Sequence, residues 1–425
     1  MLDRAQTREK NMRKFSSAGA FALAVLWANP SLANADPLSL SEAIRLAVTA
    51  EDPQLLSLVE KTAALEDQAI ADAQLEDPTI SGGIANLSTD TFRFSQENMT
   101  QAQVGIRQVF PAGRTLSLRG GRRQAEAGVM RARKELALRE ISLAVRTAWF
   151  DGFYWTSAQK SVLASKRAVN EMIQALHASF STGVLTTQHI LRAELELSLL
   201  DDQLTDFLRR EELARAELER FLGVDALRPL SSNLPDLSDP PSIAEMEEAL
   251  VQHPAVLIAD AVIEVGDADV GLAEQAYKPS WALEGKYGAR GGSRSDLASI
   301  GVTLSIPLFA ADRQDRRLSA AVRQRGAAQL DRSATLLDLR RDLERATTDW
   351  SLLGERVQLY SDAVIERARE TANASISTYA SGRTDFPELI RSQLAQLDAE
   401  LKRMELRTER GKAWAKLNYL VGEVQ

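Results

Sequence analysis

Histidine and cysteine build most metal, proton-transfer and nucleophile-activating sites, and this chain has three histidines (His177, His189, His253) and no cysteine. His177 and His189 fall inside helical patterns, where packing or hydrogen bonding accounts for them, and the seven methionines are scattered. No set of soft or imidazole ligands recurs at metal-site spacing, so no metal site is expected. Serine and aspartate are plentiful, but no catalytic constellation forms around them. Neither GxxxxGK[ST] nor GxGxxG occurs, which removes the usual phosphate and dinucleotide cradles. The expectation is a protein that is not an enzyme and has no cofactor. Any work it assists must draw its energy from elsewhere.

The functional signal lies in two turns. FSTGVLTTQHILRAE (Phe180–Glu194) and YASGRTDFPELIRSQ (Tyr379–Gln393) share one layout: an aromatic three residues before Gly183 or Gly382, and an arginine nine after. A glycine there lets a helix reverse with φ > 0. Thr186 or Thr187, and Thr384 or Asp385, are placed to cap the next helix, and Pro387 suits an early helical position. A plain helix–helix turn has the same signature.

Elements must carry these turns, and the chain writes them twice. VGIRQVFP (Val104–Pro111) matches IGVTLSIP (Ile300–Pro307). Asp77-Pro78 parallels Lys278-Pro279, Glu51-Asp52-Pro53 parallels Gln252-His253-Pro254, and Leu222-Gly223 parallels Val421-Gly422. The matches run in order, with the glycine turns 199 residues apart. A Pro-, Ser- and Asp-rich stretch, RPLSSNLPDLSDPPS, separates the halves. The expected organisation is a signal peptide at 1–35, a first repeat at 36–227, a linker at 228–242 and a second repeat at 243–425. Strands are expected at about 78–87 and 102–110, then 279–290 and 298–308. Helices are expected at about 113–180 and 186–222, then 311–379 and 386–421.

The signal peptide rests on Arg13 and Lys14, the apolar run Ala18–Ala28 and the small-x-small site Ala33-Asn34-Ala35. That run is too short for a membrane anchor. Met12 is an alternative start to Met1, since the eleven residues before it contribute little to such a leader. Cleavage before Asp36 leaves 46 basic against 57 acidic residues, a net of −11, from 51 and 59 in the full chain. That balance argues against nucleic acid as a partner. An exported chain without cysteine is held by packing or assembly rather than disulfides, and cannot carry a lipid on an N-terminal cysteine.

The strands alternate with period 2. Trp281, Leu283, Gly285, Tyr287 and Ala289 share one face, against Ala282, Glu284, Lys286, Gly288 and Arg290. Ile300, Val302, Leu304, Ile306 and Leu308 oppose Ser299, Gly301, Thr303, Ser305 and Pro307. In the first half Val104, Ile106 and Phe110 alternate with Gly105, Arg107 and Val109. Ten-residue segments of this kind fit tilted membrane strands, with Trp281, Tyr287 and Phe309 as interface aromatics. A soluble half-buried sheet reads alike from one strand. The long helices instead follow a 3,4 rhythm (Leu336, Leu339, Leu343, Ala346, Trp350, Leu353, Val357, Tyr360, Val364), broken in the first half by Gln159 and Lys166. A helix over 113–180 is roughly 100 Å long and must lie beside other long helices. Four strands cannot close a membrane barrel, which needs at least about eight, whereas three chains supply about twelve. That arithmetic favours a homotrimer.

This combination resembles the TolC family of outer-membrane efflux channels across residues 38–422. The carrying features are the doubled F/Y-x-x-G turn, the strand-to-helix prolines Pro111 and Pro307 and the helix-ending glycines. The segment Asp77–Arg114 is similar to members serving heavy-metal pumps of the resistance-nodulation-division (RND) class. The resemblance implies a mainly α protomer with membrane β: four strands and long coiled-coil-like helices given to a trimeric twelve-stranded β-barrel plus a periplasmic α-barrel. It implies an outer-membrane location with a periplasmic helical extension, contact with outer-membrane lipid, and docking to a periplasmic adaptor and an inner-membrane RND pump. The turns become periplasmic tips for adaptor docking, carried by Phe180, Gly183, Val184, Leu185 and Thr186 in the first and Tyr379, Gly382, Arg383 and Thr384 in the second. A gate network of Tyr379, Arg383, Asp385, Glu388 and His189 is carried over from the same family. There, His189 stands where the family has an acid, and Arg383 lies one residue nearer the glycine. Glu284 and Lys286 would face the barrel lumen and tune passage rather than hold cargo.

The expected function is therefore the passive outer-membrane conduit of a tripartite efflux system, of metal-ion type. The same channel could serve drug efflux or type I protein secretion. A periplasmic adaptor is the reading from a different class, disfavoured because adaptors carry one helical hairpin and this chain has two.

Overall fold

The computed structural model describes residues 36–180 and 187–422, with side chains described outside 175–180. Each half begins with two short helices: α1 (Leu40–Thr49) and α2 (Pro53–Asp72), then α5 (Ile243–Leu250) and α6 (Pro254–Gln275). Two strands follow in each, β1 (Thr79–Ala85) and β2 (Gln101–Phe110), then β3 (Ser280–Ala289) and β4 (Leu297–Ser305). The long helices are α3 (Thr115–Phe180) and α4 (Thr187–Leu222) in the first half. The second half has α7 (Gln314–Leu359), α8 (Ile365–Ala380) and α9 (Phe386–Val421).

Two expected elements differ in detail. The helix expected over 311–379 is α7 and α8 joined by one π-helical turn, Tyr360–Val364. Such a turn shifts the hydrogen-bond register by one residue without breaking the rod. The strand expected to reach 308 stops at Ser305, because Pro307 has no N–H to continue a ladder.

The four strands form one antiparallel sheet in the order β1-β2-β3-β4, so the two repeats join through β2 and β3. Helices leave the sheet through tight elbows. At Gly113 the backbone has φ +51°, and a Cβ would stand 2.3 Å from Gln275 Oε1. That oxygen accepts from Arg114 N at 3.1 Å and Lys278 Nζ at 2.9 Å, tying the start of α3 to the end of α6.

Beyond the sheet, α9 lies against both α3 and the α7–α8 rod, and α4 flanks α3, so the long helices pack side by side. Three apolar clusters hold it. One gathers Leu38, Leu40, Ala43, Trp149, Phe150 and Leu218 where α1 crosses α3 and α4. A second, Leu339, Leu343, Trp350, Leu417 and Leu420, joins α7 to α9 with Met246 and Leu250 of α5. The third runs toward the turn end, from Ala158 and Phe207 to Ile190 and Phe386. The two residues that break the heptad rhythm are cross-links: Gln159 Nε2 donates to Glu211 Oε2 at 2.6 Å, and Lys166 pairs with Asp201. Among the described residues, no helix is long and apolar enough to cross a membrane.

Candidate functional site

The sheet is sorted by chemistry. Residues paired directly across antiparallel strands point to the same side. The register Ile80↔Ile106, Val104↔Tyr287, Phe110↔Trp281, Leu283↔Val302 and Trp281↔Leu304 therefore builds one apolar surface across all four strands. Except for half-buried Phe110 these side chains are exposed, Val302 by 69%, as is Ile300 on the same face by 84%. The opposite face carries Ser81, Gln103, Gly105, Ser299, Gly301 and Thr303, with every charged residue of the strands: Arg107, Glu284 and Lys286. Lys286 Nζ lies 2.9 Å from Glu284 Oε1, and Arg107 stands opposite Glu284 in the β2–β3 register. Gly105 leaves room for the Lys286 stem, since a Cβ there would sit 3.0 Å from its Cγ.

Aromatics mark the helix-side end. Trp281 stacks on Phe110 with ring centroids 4.0 Å apart, and Phe309 is 83% exposed. Tyr287 lies toward the other end, its hydroxyl donating to Asp296. An exposed apolar band crossing four strands, with uncompensated edges at β1 and β4, is untenable in water and natural in lipid with neighbouring strands on both sides.

The second turn is fully described. Gly382 has φ +69°, its N donates to Tyr379 O at 2.9 Å, and Arg383 N reaches back to Thr378 O at 2.9 Å. Of the two expected caps, Asp385 is the one used, its carboxylate accepting from Glu388 N at 3.1 Å, while Thr384 precedes it. Pro387 lies in the first turn of α9. Phe386 is buried and meets Tyr379 edge-on at 6.0 Å, clasping α8 to α9; burial also pushes the Tyr379 hydroxyl pKa up.

The charged residues are arranged differently from the expected network. Within the protomer Glu388 pairs with Arg391, one turn on in its own helix, and not with Arg383. Arg383 is exposed and, among the described residues, has no ion-pair partner. Asp385 acts as a helix cap. His189 sits half-buried in the first turn of α4, next to Ile190 of the cluster that also contains Phe386, so α4 and α9 begin beside one apolar cluster. Gly183, Val184, Leu185 and Thr186 lie outside the described residues, as does the Phe180 side chain. Sequence reasoning missed Phe386 as the clasp and Arg391 as the partner of Glu388. The i,i+3 spacing of Glu388 and Arg391 was visible in the sequence.

Among the described residues no three His, Cys, Asp or Glu side chains are grouped to hold a metal ion. His253 is fully buried as the N-cap of α6, its Nδ1 accepting from Ala255 N at 3.2 Å. Burial, helped by the nearby Arg139 charge, lowers its pKa to about 4 and keeps the ring neutral.

Comparison with known proteins adds to this geometry. Residues 246–423 match the family described as Outer membrane efflux protein. The cobalt-zinc-cadmium resistance protein CzcC of Cupriavidus metallidurans is 22% identical over 294 residues, 67% of this chain and 69% of the relative. The crystal structure of a membrane protein from Pseudomonas aeruginosa superposes with a TM-score of 0.78 at 17% identity, covering 90% of this chain and 93% of that one. The Campylobacter jejuni CmeC outer membrane channel gives 0.76 at 14% identity, covering 90% and 85%.

Proposed function

We propose that this chain is an outer membrane efflux protein of the TolC type, the passive outer-membrane conduit of a tripartite RND efflux system acting as a homotrimer, a reading supported by the family match over residues 246–423. One observation carries the reading: a four-stranded sheet with all its charges on one face, an exposed apolar band on the other, and two open edges. Lipid satisfies the band, water the charged face, and neighbouring subunits the edges, which yields about twelve strands from three copies. The long helices then extend the passage into the periplasm. Metal ions are the proposed cargo, supported by the similarity to the cobalt-zinc-cadmium resistance protein.

The turn at Gly382 and its sequence counterpart at Gly183 are the proposed periplasmic tips, where a periplasmic adaptor and, through it, an inner-membrane pump engage. Arg383, exposed beside the turn, is proposed to close the tip by contact with a neighbouring subunit. Tyr379, Phe386 and the Asp385 cap hold the turn rigid beneath it. Glu284 and Lys286, with Arg107, are proposed to line the lumen.

The test is single-channel conductance of the purified, detergent-extracted protein in planar bilayers. A trimer with low conductance that rises on replacing Arg383 and Glu388 with Ala is expected. Recovery as a soluble periplasmic monomer overturns the channel reading, and unchanged conductance overturns the gate.

A further inference from the structure

The strands carry two basic residues and one acidic, all on the polar face: Arg107, Lys286 and Glu284. β1 and β4 contribute no charge. The register fixes the level of each. Thr79, Arg107, Glu284 and Gly301 stand in one row across the sheet. Ser81, Gly105, Lys286 and Ser299 form a second row two residues along, about 7 Å away.

One carboxylate cannot answer both bases. Glu284 takes Lys286 at 2.9 Å, and the exposed Arg107 has no ion pair or hydrogen bond among the described residues. Were Glu284 to turn to Arg107 instead, Lys286 would be left over. The excess of one positive charge therefore belongs to the two rows and not to a rotamer. The loops beyond cancel: Arg93, Arg290 and Arg294 against Asp90, Glu97 and Asp296. The chain as a whole is acidic, with 46 basic against 57 acidic residues once the first 35 are removed. The strands reverse the sign of the molecule that bears them.

Three such sheets closed into one barrel turn each row into a ring. Three Arg107 side chains then share one level of the water-filled bore, with one excess positive charge from each subunit. Rings of arginine or lysine between low-dielectric walls concentrate anions and repel cations.

We propose that Arg107 makes the barrel anion-preferring. It passes small anions, and metal carried as a net-negative complex with acidic ligands, ahead of bare divalent cations. This rests on the trimeric channel proposed above and adds the charge class of what crosses it. Arg107 is the specificity-determining residue, and Glu284 is its counterweight.

The chain has no cysteine, so an S299C thiol reports from the second row without background. The experiment follows its modification in the intact detergent-extracted trimer at low salt. An anionic sulfonatoethyl and a cationic trimethylammonioethyl methanethiosulfonate are compared, each rate normalised to that with a free thiol in solution. The ratio should favour the anionic reagent by about tenfold. R107Q should bring it toward parity, R107K should keep it, and E284Q should raise it. A cationic preference, or a ratio that R107Q and E284Q leave unmoved, overturns the proposal. If R107Q does not assemble, E284Q and R107K decide. An I300C thiol on the opposite face tests the channel reading separately, because detergent should shield it. Reaction at I300C but not at S299C overturns that reading. An accessible S299C thiol without charge preference overturns the charge assignment alone.

Discussion

The two repeats share an order of elements and differ in how they hold their shared positions. At the start of the first, Asp52 caps α2, accepting from Gln54 N at 2.7 Å and from Arg220 Nη1 at 2.7 Å. At the corresponding point of the second, His253 caps α6 as a neutral, fully buried ring against Tyr419, 5.2 Å away. Trp149 in α3 is sealed off from water, donates to Leu38 O at 3.1 Å and stacks on Phe153. Its counterpart Trp350 in α7 keeps one face for Arg410. In the first half α3 is one unbroken rod, whereas the second inserts a π-turn. Duplication preserves the backbone plan. Each copy then satisfies the same buried donors and acceptors with different side chains, because its neighbours differ.

The difference can be broken most forcefully at the tryptophans. Trp149→Ala removes a fully buried indole and its hydrogen bond, and should cost about 3–5 kcal/mol. Trp350→Ala should cost less, since that ring is less enclosed and its cation–π contact is worth about 0.5–2 kcal/mol. Denaturant midpoints of the two variants compare them directly; equal losses would make the halves equivalent.

The caps differ in pH dependence. His253 has a folded-state pKa of about 4, below the ordinary 6.5, so the folded state binds fewer protons between those values. Its contribution is complete above about pH 6.5 and is lost as pH falls toward 4, by at most about 3 kcal/mol. Asp52 is also depressed, chiefly by its hydrogen bond from Arg220. Its contribution is present above the ordinary carboxylate pKa and goes only as pH falls below it through the depressed value. His253→Asn should therefore flatten stability between pH 6.5 and 4, and Asp52→Asn should flatten it only below that window.

At the described tip, Asp385→Ala removes the cap of α9. The expected cost is about 1 kcal/mol, seen as faster amide exchange in the first turn and more frequent channel openings. The smallest effect belongs to the strands. Glu284→Gln or Lys286→Gln should change stability by less than about 1 kcal/mol, because the pair is partly exposed. Their effect should appear in the ion selectivity of the open channel, in opposite directions for the two variants.

Much of this was legible in the residues. Strand faces follow from a period of two, so the chemistry of both sides of the sheet could be read from Trp281–Arg290 and Ser299–Leu308. The turn at Gly382 was legible because φ > 0 favours glycine, and its cap narrowed to two neighbours. The partner of Glu388 was assigned elsewhere because a charged side chain reaches several residues, and the rotamer and local helix decide among them. The α9 arginines drew no notice, since arginine on a helix usually lies on a solvated face.

The sequence by itself determined the duplication, the strand alternation, the helical rhythm and the places where the chain reverses. These are local properties, set by backbone sterics and by side-chain periodicity along one element. Only the tertiary structure decided that β2 pairs with β3, joining the repeats in one sheet. It also decided that Gln159 and Lys166 are interhelical ties, and that Arg403, Arg407 and Arg410 form no ion pair among the described residues. Those facts depend on which elements become neighbours. Residues far apart in the chain supply the partners, and a linear pattern carries no record of a partner's absence.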